Sequence, residues 1–130
     1  MNASAVRDHL VSLGVTTGAT TAGTAWVCLI GGLSDKIGAP QVAVMDRGGL
    51  PPLGSHDSVR PLRPGVQVLV RGLPNSYAAT ATKAQAVFDA LHGQRFGSFM
   101  DVRASQSPLW LGFLDDDRPT WSLNFDTFQE

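Results

Sequence analysis

A chain of 130 residues fits a single domain and can bury a core without disulfides or metals. Ten Lys and Arg residues against eleven Asp and Glu give a formal charge of −1, which lacks the basic footprint of a nucleic-acid binder but does not stop DNA from passing nearby. No apolar run approaches the roughly 20 residues of a membrane span, and no basic segment leads into a long apolar stretch at the N-terminus. Folding in a cytoplasm, without a signal peptide, is therefore expected.

The first predicted element is a helix from Ala3 to Leu13, with Val6, Leu10 and Leu13 at helical spacing. Asn2 or Ser4 can cap its start, and Gly14 ends it where a left-handed residue is needed. Thr16 to Thr24, all Thr, Gly and Ala, reads as an exposed connection. Strands are predicted over Ala25–Ile30 and Gln41–Asp46, with Gly31-Gly32 and Gly38-Ala39-Pro40 as turns between them. The sole cysteine, Cys28, lies in the apolar run Trp26-Val27-Cys28-Leu29-Ile30 and reads as a small buried hydrophobe.

From Arg47 to Pro64 the composition turns to Gly, Pro, Ser, Asp and Arg, a long connection of the kind that carries function. Gly65–Gly72 alternates Val66, Val68 and Val70 with Gln67, Leu69 and Arg71, as a half-buried strand does. A helix follows from Ser76 to His92, with a stripe of Tyr77, Ala81, Ala84, Phe88 and Leu91, a cap from Asn75 or Ser76, and Gly93 as its stop. Three strands close the chain, over Phe99–Ala104, Leu109–Leu114 and Thr120–Thr127, with Asp115-Asp116-Asp117-Arg118 turning between the last two. This order predicts an α+β domain: one antiparallel or mixed sheet with two helices packed on it.

Sites for chemistry are sparse. No phosphate-binding Gly-rich loop ends in Lys-Ser or Lys-Thr, and no dinucleotide fingerprint sits between strand and helix. His9, His56 and His92 are far apart, and none lies at metal-ligand spacing from another His or a Cys. The Asp115–Asp117 cluster lacks the regularly spaced oxygens and distal Glu of a calcium loop and reads as a solvated hairpin tip. Trp26, Trp110 and Trp121 sit in apolar strands, suited to core or subunit-interface packing. No catalytic residue, cofactor or metal is expected.

The residues that suggest a partner lie in the Arg47–Pro64 connection. Leu50, Leu53, Val59 and Leu62 are apolar side chains that a solvent loop does not need, and Arg47, Arg60 and Arg63 have only Asp57 as an acidic companion. Such a segment can order against a partner through apolar burial and charge pairing. With the Asp115, Asp116 and Asp117 turn, it forms the expected partner interface.

The ordered blocks resemble a known family. Trp26 to Asp46, followed by Gly48-Gly49 and Pro51-Pro52, is similar to a segment of bacteriophage minor capsid or tail-terminator (tail completion) proteins. Arg63-Pro64-Gly65-Val66-Gln67-Val68-Leu69-Val70-Arg71-Gly72 resembles that family's next strand. The closing Ala90-Leu91-His92-Gly93 of the Ala-rich helix and the terminal Trp121-Ser122-Leu123-Asn124-Phe125 resemble its later blocks; the family's usual Leu-Pro after the first strand is Leu33-Ser34 here.

The resemblance implies a virion protein forming a hexameric ring at the head-proximal end of a phage tail. Such a ring terminates tail-tube polymerisation and joins the tail to the head connector. Its implied partners are further copies of the chain, the major tail tube protein and the head–tail connector or neck protein. Genomic DNA would pass through the lumen without specific binding, and no membrane is involved. The alternatives are a head-completion or neck protein on the capsid side of the joint, and a small cytoplasmic ligand-binding domain or enzyme.

Overall fold

The structure is a computed structural model, described here over residues 2–16, 26–33, 40–50, 63–96, 99–114 and 117–129. Among these residues two helices, α1 (Asn2–Ser12) and α2 (Tyr77–Leu91), accompany seven strands. The strands are β1 (Val27–Ile30), β2 (Gln41–Leu50), β3 (Arg63–Arg71), β4 (Gln94–Phe96), β5 (Phe99–Ala104), β6 (Leu109–Leu114) and β7 (Arg118–Gln129).

The pattern Ala3, Val6, Leu10 buries one stripe of α1. Leu13 lies beyond the helix and is exposed, so the predicted third core position is not one. Gly14, at φ 75°, makes the expected left-handed exit. The first turn is met from a distant strand: Asp46 of β2 accepts the Ala3 N–H at 3.0 Å.

One mixed sheet runs β1-β2-β3-β7-β5-β4, with β6 also on β7. Only β1 and β2 are parallel among the assigned pairs. β2 and β3 both run further than the sequence suggests. Gly48 and Gly49, expected in the long connection, fall within β2 at a shift of register between Arg47 and Leu50, and Leu50 pairs with Arg63. Glycine in a strand commonly marks such an irregularity. The expected Arg47–Pro64 connection thus loses both ends to strands, and residues 51–62 lie outside the described residues.

Alternation then sorts the side chains. Val42 and Val44 of β2, Val66, Val68 and Val70 of β3, and Leu123 and Phe125 of β7 share the face under the helices, each almost fully buried. On the reverse face the pairs Gln41–Arg71, Arg71–Thr120, Leu69–Ser122 and Gln67–Asn124 are largely polar, and Gln41, Arg71, Thr120 and Ser122 are buried.

Helix α2 covers the sheet with Thr80, Ala84, Val87 and Leu91, at steps of four, three and four. The expected stripe is therefore turned: Tyr77 is exposed, and Ala81 and Phe88 are half-buried. The cause lies in β3's exit. A side chain at Gly72 would overlap the Thr80 hydroxyl, so its absence makes the space into which Thr80 packs. Ser76 does not cap the helix by its side chain; its hydroxyl donates instead to the Leu73 carbonyl at 2.7 Å. Gly93, at φ 74°, ends the helix region as expected.

β4 was not foreseen, being three residues without alternation. The sheet curls enough to bring this strand, at one end of the strand order, against α1, which packs on the other end. Phe96 of β4 stacks on the His9 ring with centroids 3.9 Å apart.

Candidate assembly interface

Among the described residues, the last strand organises a group of exposed apolar side chains on its neighbour β6. β7 is long enough to hold β3 along one side over 120–126 while dividing its other side between two partners. β6 pairs with its first half, over 118–122, and β5 with its second half, over 125–129. The crossing between them is pinned at Ser105, whose N–H donates to the Asn124 carbonyl at 2.9 Å.

β6 reads Leu109-Trp110-Leu111-Gly112-Phe113-Leu114, six residues without a charge. Its register shifts between Trp110 and Gly112, where Gly112 takes φ 100°, a conformation other residues rarely adopt. Trp110 pairs with Trp121 across the strands, their rings 5.1 Å apart, and Tyr77 of α2 meets Trp110 edge-on at 5.0 Å. Phe113 meets Trp110 edge-on at 5.3 Å. Leu109, Leu111 and Phe113 remain 48%, 39% and 50% exposed, and Tyr77, against Trp110, is exposed as well. Large apolar side chains grouped on an edge strand are a feature of interaction surfaces rather than of solvated ones.

The neighbouring hairpin end is held to α2. Asn75 and Asp117 both take positive φ, 61° and 60°, which Asn and Asp tolerate better than most residues. The Asn75 N–H donates to the Asp117 carbonyl at 3.0 Å. The exposed aromatic edge therefore sits on a tied framework.

The partner residues expected from sequence are not brought together within the described residues. Arg47 lies in β2, where its guanidinium donates to the Phe125 carbonyl at 3.0 Å and to the Asp126 carboxylate at 3.1 Å. It is engaged within the chain. Leu50 and Arg63 are paired at the ends of β2 and β3. Asp117 is exposed at the hairpin end, whereas Leu53, Val59, Arg60, Leu62, Asp115 and Asp116 lie outside the described residues. In β6 the sequence points to Trp110 as a core or subunit-interface residue but not to the exposed Leu109, Leu111 and Phe113. The signal for these three was present, because a strand with no polar residue on either face cannot be half-solvated without exposing apolar side chains.

Other features offer little for chemistry. An open cleft of about 340 Å³ is lined by Ala5, Asp8, His9, Ser12 and Phe96. His9 Nε2 stands 3.1 Å from the Ala90 carbonyl, which can only accept, so that nitrogen is the donor. The Ser12 hydroxyl donates to its own helix at the His9 carbonyl, 2.8 Å away. Burial pushes the Cys28 thiol up to about 11, away from the thiolate form a nucleophile needs. Among the described residues no group of three His, Cys, Asp or Glu side chains is placed to hold a metal ion, and no helix is long and apolar enough to cross a membrane.

Comparison with curated proteins finds no match. A family model described as "Bacteriophage tail terminator protein" does match, over residues 15–129, which takes in every strand and α2; the chain belongs to the bacteriophage tail terminator family.

Proposed function

We propose that this chain forms a hexameric ring at the head-proximal end of a phage tail, where it terminates growth of the tail tube and joins the tail to the head connector. The family match over residues 15–129 carries this reading and gives the chain a structural role in the tail. The uncharged, exposed β6 edge supports it as well, since such a surface suits burial in an assembly. Termination follows if one side of the ring matches the tube and the other does not repeat that match. Contacts with the tube or connector fall to residues 51–62, with Leu53, Val59, Arg60 and Leu62, and to the Asp115–Asp117 turn. A near-neutral chain lets DNA cross the lumen without being held. In this role the chain is not an enzyme, takes no cofactor and resides in the virion.

Electron microscopy of particles assembled without this protein tests the reading. Overlong tails without heads are expected. Tails of normal length joined to filled heads would overturn it.

A further inference from the structure

Among the described residues the sheet ends in three strands, β1, β4 and β6, each paired on one side only. They differ in a way that selects between them. β4 is three residues long and carries Arg95, features by which edge strands resist addition of another strand. β6 has no charge and presents Leu109, Leu111 and Phe113 to solvent. β1, Val27-Cys28-Leu29-Ile30, has no charge either, and Ile30 is 36% exposed. β1 and β6 stand at opposite ends of the run β1-β2-β3-β7-β6.

We infer that copies of this chain join head to tail, the outer edge of β6 in one subunit lying along the outer edge of β1 in the next. The inference rests on the ring reading above and supplies its subunit contact. Backbone N–H and C=O groups on the two edges would pair, and Ile30 of β1 would be buried with the exposed Leu109, Leu111 and Phe113 of β6, the two ingredients of strand addition. β1 offers four residues to the six of β6, enough for a short ladder. The contact joins two different patches, so each subunit keeps one of each free for the next copy. Repeated about an axis, it closes into a ring. Pairing of β6 with β6 would instead be self-complementary and stop at a dimer. It would also leave β1 uncovered.

Cysteine crosslinking of full-length protein tests this, because a disulfide needs Cα atoms within about 4.4–6.8 Å. In a Cys28→Ala background, Ile30→Cys protein is mixed with Leu109→Cys, Leu111→Cys or Phe113→Cys protein and oxidised with oxidised glutathione, with and without tail tubes. Interchain disulfides are expected in at least one mixture, well above either component alone, and the matching double variant should give a ladder ending at the closed ring. Leu111→Lys and Phe113→Lys should keep native circular dichroism and raise the concentration needed for assembly at least tenfold, while Arg95→Glu leaves it unchanged. If the β6 variants crosslink to themselves as strongly as to Ile30→Cys, the contact is β6 to β6 and the inference falls. Rings by native mass spectrometry that ignore both lysines and give no mixed crosslink would overturn it and leave the ring reading standing. A parent protein that forms no oligomer even on tube ends would overturn both.

Discussion

The Asp46 carboxylate of β2 accepts the backbone N–H of Ala3 at 3.0 Å, so helix α1 is capped from forty-three residues away. The first N–H groups of a helix have no partner within it, and a side-chain oxygen that supplies one contributes to stability. Here the cap also fastens α1 to the sheet. Asp46→Ala should lower unfolding free energy by about 0.5–2 kcal/mol, and Asp46→Asn, which keeps an acceptor oxygen, by less. Urea titrations followed by circular dichroism measure both. Equal losses in the two variants would show that the charge, not the acceptor, matters.

Two glycines in or beside β3 make contrasting demands. A Cβ at Gly72 would overlap the Thr80 hydroxyl on the buried side of α2. Gly72 is also fixed by its neighbours: its N–H donates to the Pro119 carbonyl at 3.0 Å, and its carbonyl accepts from Arg118 Nε at 2.8 Å. It has little freedom to retreat. A Cβ at Gly65 would stand 2.9 Å from the Arg47 guanidinium carbon, the far end of a long side chain. Overpacking in a fixed site typically costs about 1–3 kcal/mol, so Gly72→Ala should be clearly destabilising. Gly65→Ala should be milder, limited to displacing Arg47 from Asp126. A reversed order in thermal melts would contradict this reading of α2's contact with β3.

Much of this fold is legible in the chain because alternation is strong where strands are half-buried. Val66, Val68 and Val70, and then Leu123 and Phe125, declare their face directly. Legibility fails where a tertiary contact overrides a local pattern. The α2 stripe is rotated because Gly72, outside the helix, admits Thr80. The α1 cap comes from Asp46, which no local window can see. β2 continues through Gly48-Gly49 because β3 pairs with it as far as Leu50, although those glycines resemble a turn. Arg47, expected from sequence to face a partner, is drawn instead to Asp126, seventy-nine residues away, a pairing no local window shows.

The same sorting ranks the aromatic residues of β7. Phe125 is almost fully buried, whereas Trp121 is half-buried among Trp110 and Tyr77. Truncating a buried aromatic costs about 3–5 kcal/mol, a large share of a domain's stability. Phe125→Ala is expected to unfold the subunit most, Trp121→Ala less, and Asn124→Ala on the reverse face least. Denaturant midpoints give the order directly. A Trp121→Ala loss matching that of Phe125→Ala would mean that the aromatic cluster supports the monomer as much as the core does.

Cys28 yields a pH-dependent expectation. Burial raises its thiol from 9.0 to about 11, so the folded state disfavours the thiolate. The unfolded chain releases this proton more readily, so the contribution is intact below pH 9 and is lost as pH rises towards 11. Over that interval the parent protein should lose more stability than Cys28→Ala. A thiol reagent at pH 8 should label the native protein at the rate of its opening, and at once in urea above the midpoint. Rapid labelling of the folded protein would show that the thiol is accessible.

Leu50 and Arg63 are paired across β2 and β3, so the segment between them begins and ends at adjacent positions. A short Gly-Ser linker can therefore replace residues 51–62 without separating the strands, and folding and the β1–β6 subunit contact should survive. The replacement removes Leu53, Val59, Arg60 and Leu62, the apolar and basic side chains placed at the contact with the tube or connector. Their combination suits a segment that gains apolar burial and charge pairing when a partner orders it. The variant should form rings but fail to join tails to filled heads, as judged by infectious yield and electron microscopy. Rings that also join heads at normal yield would remove the joining role from this segment and leave the Asp115–Asp117 turn as the contact to test. Loss of rings along with joining would instead place the segment within the subunit contact itself.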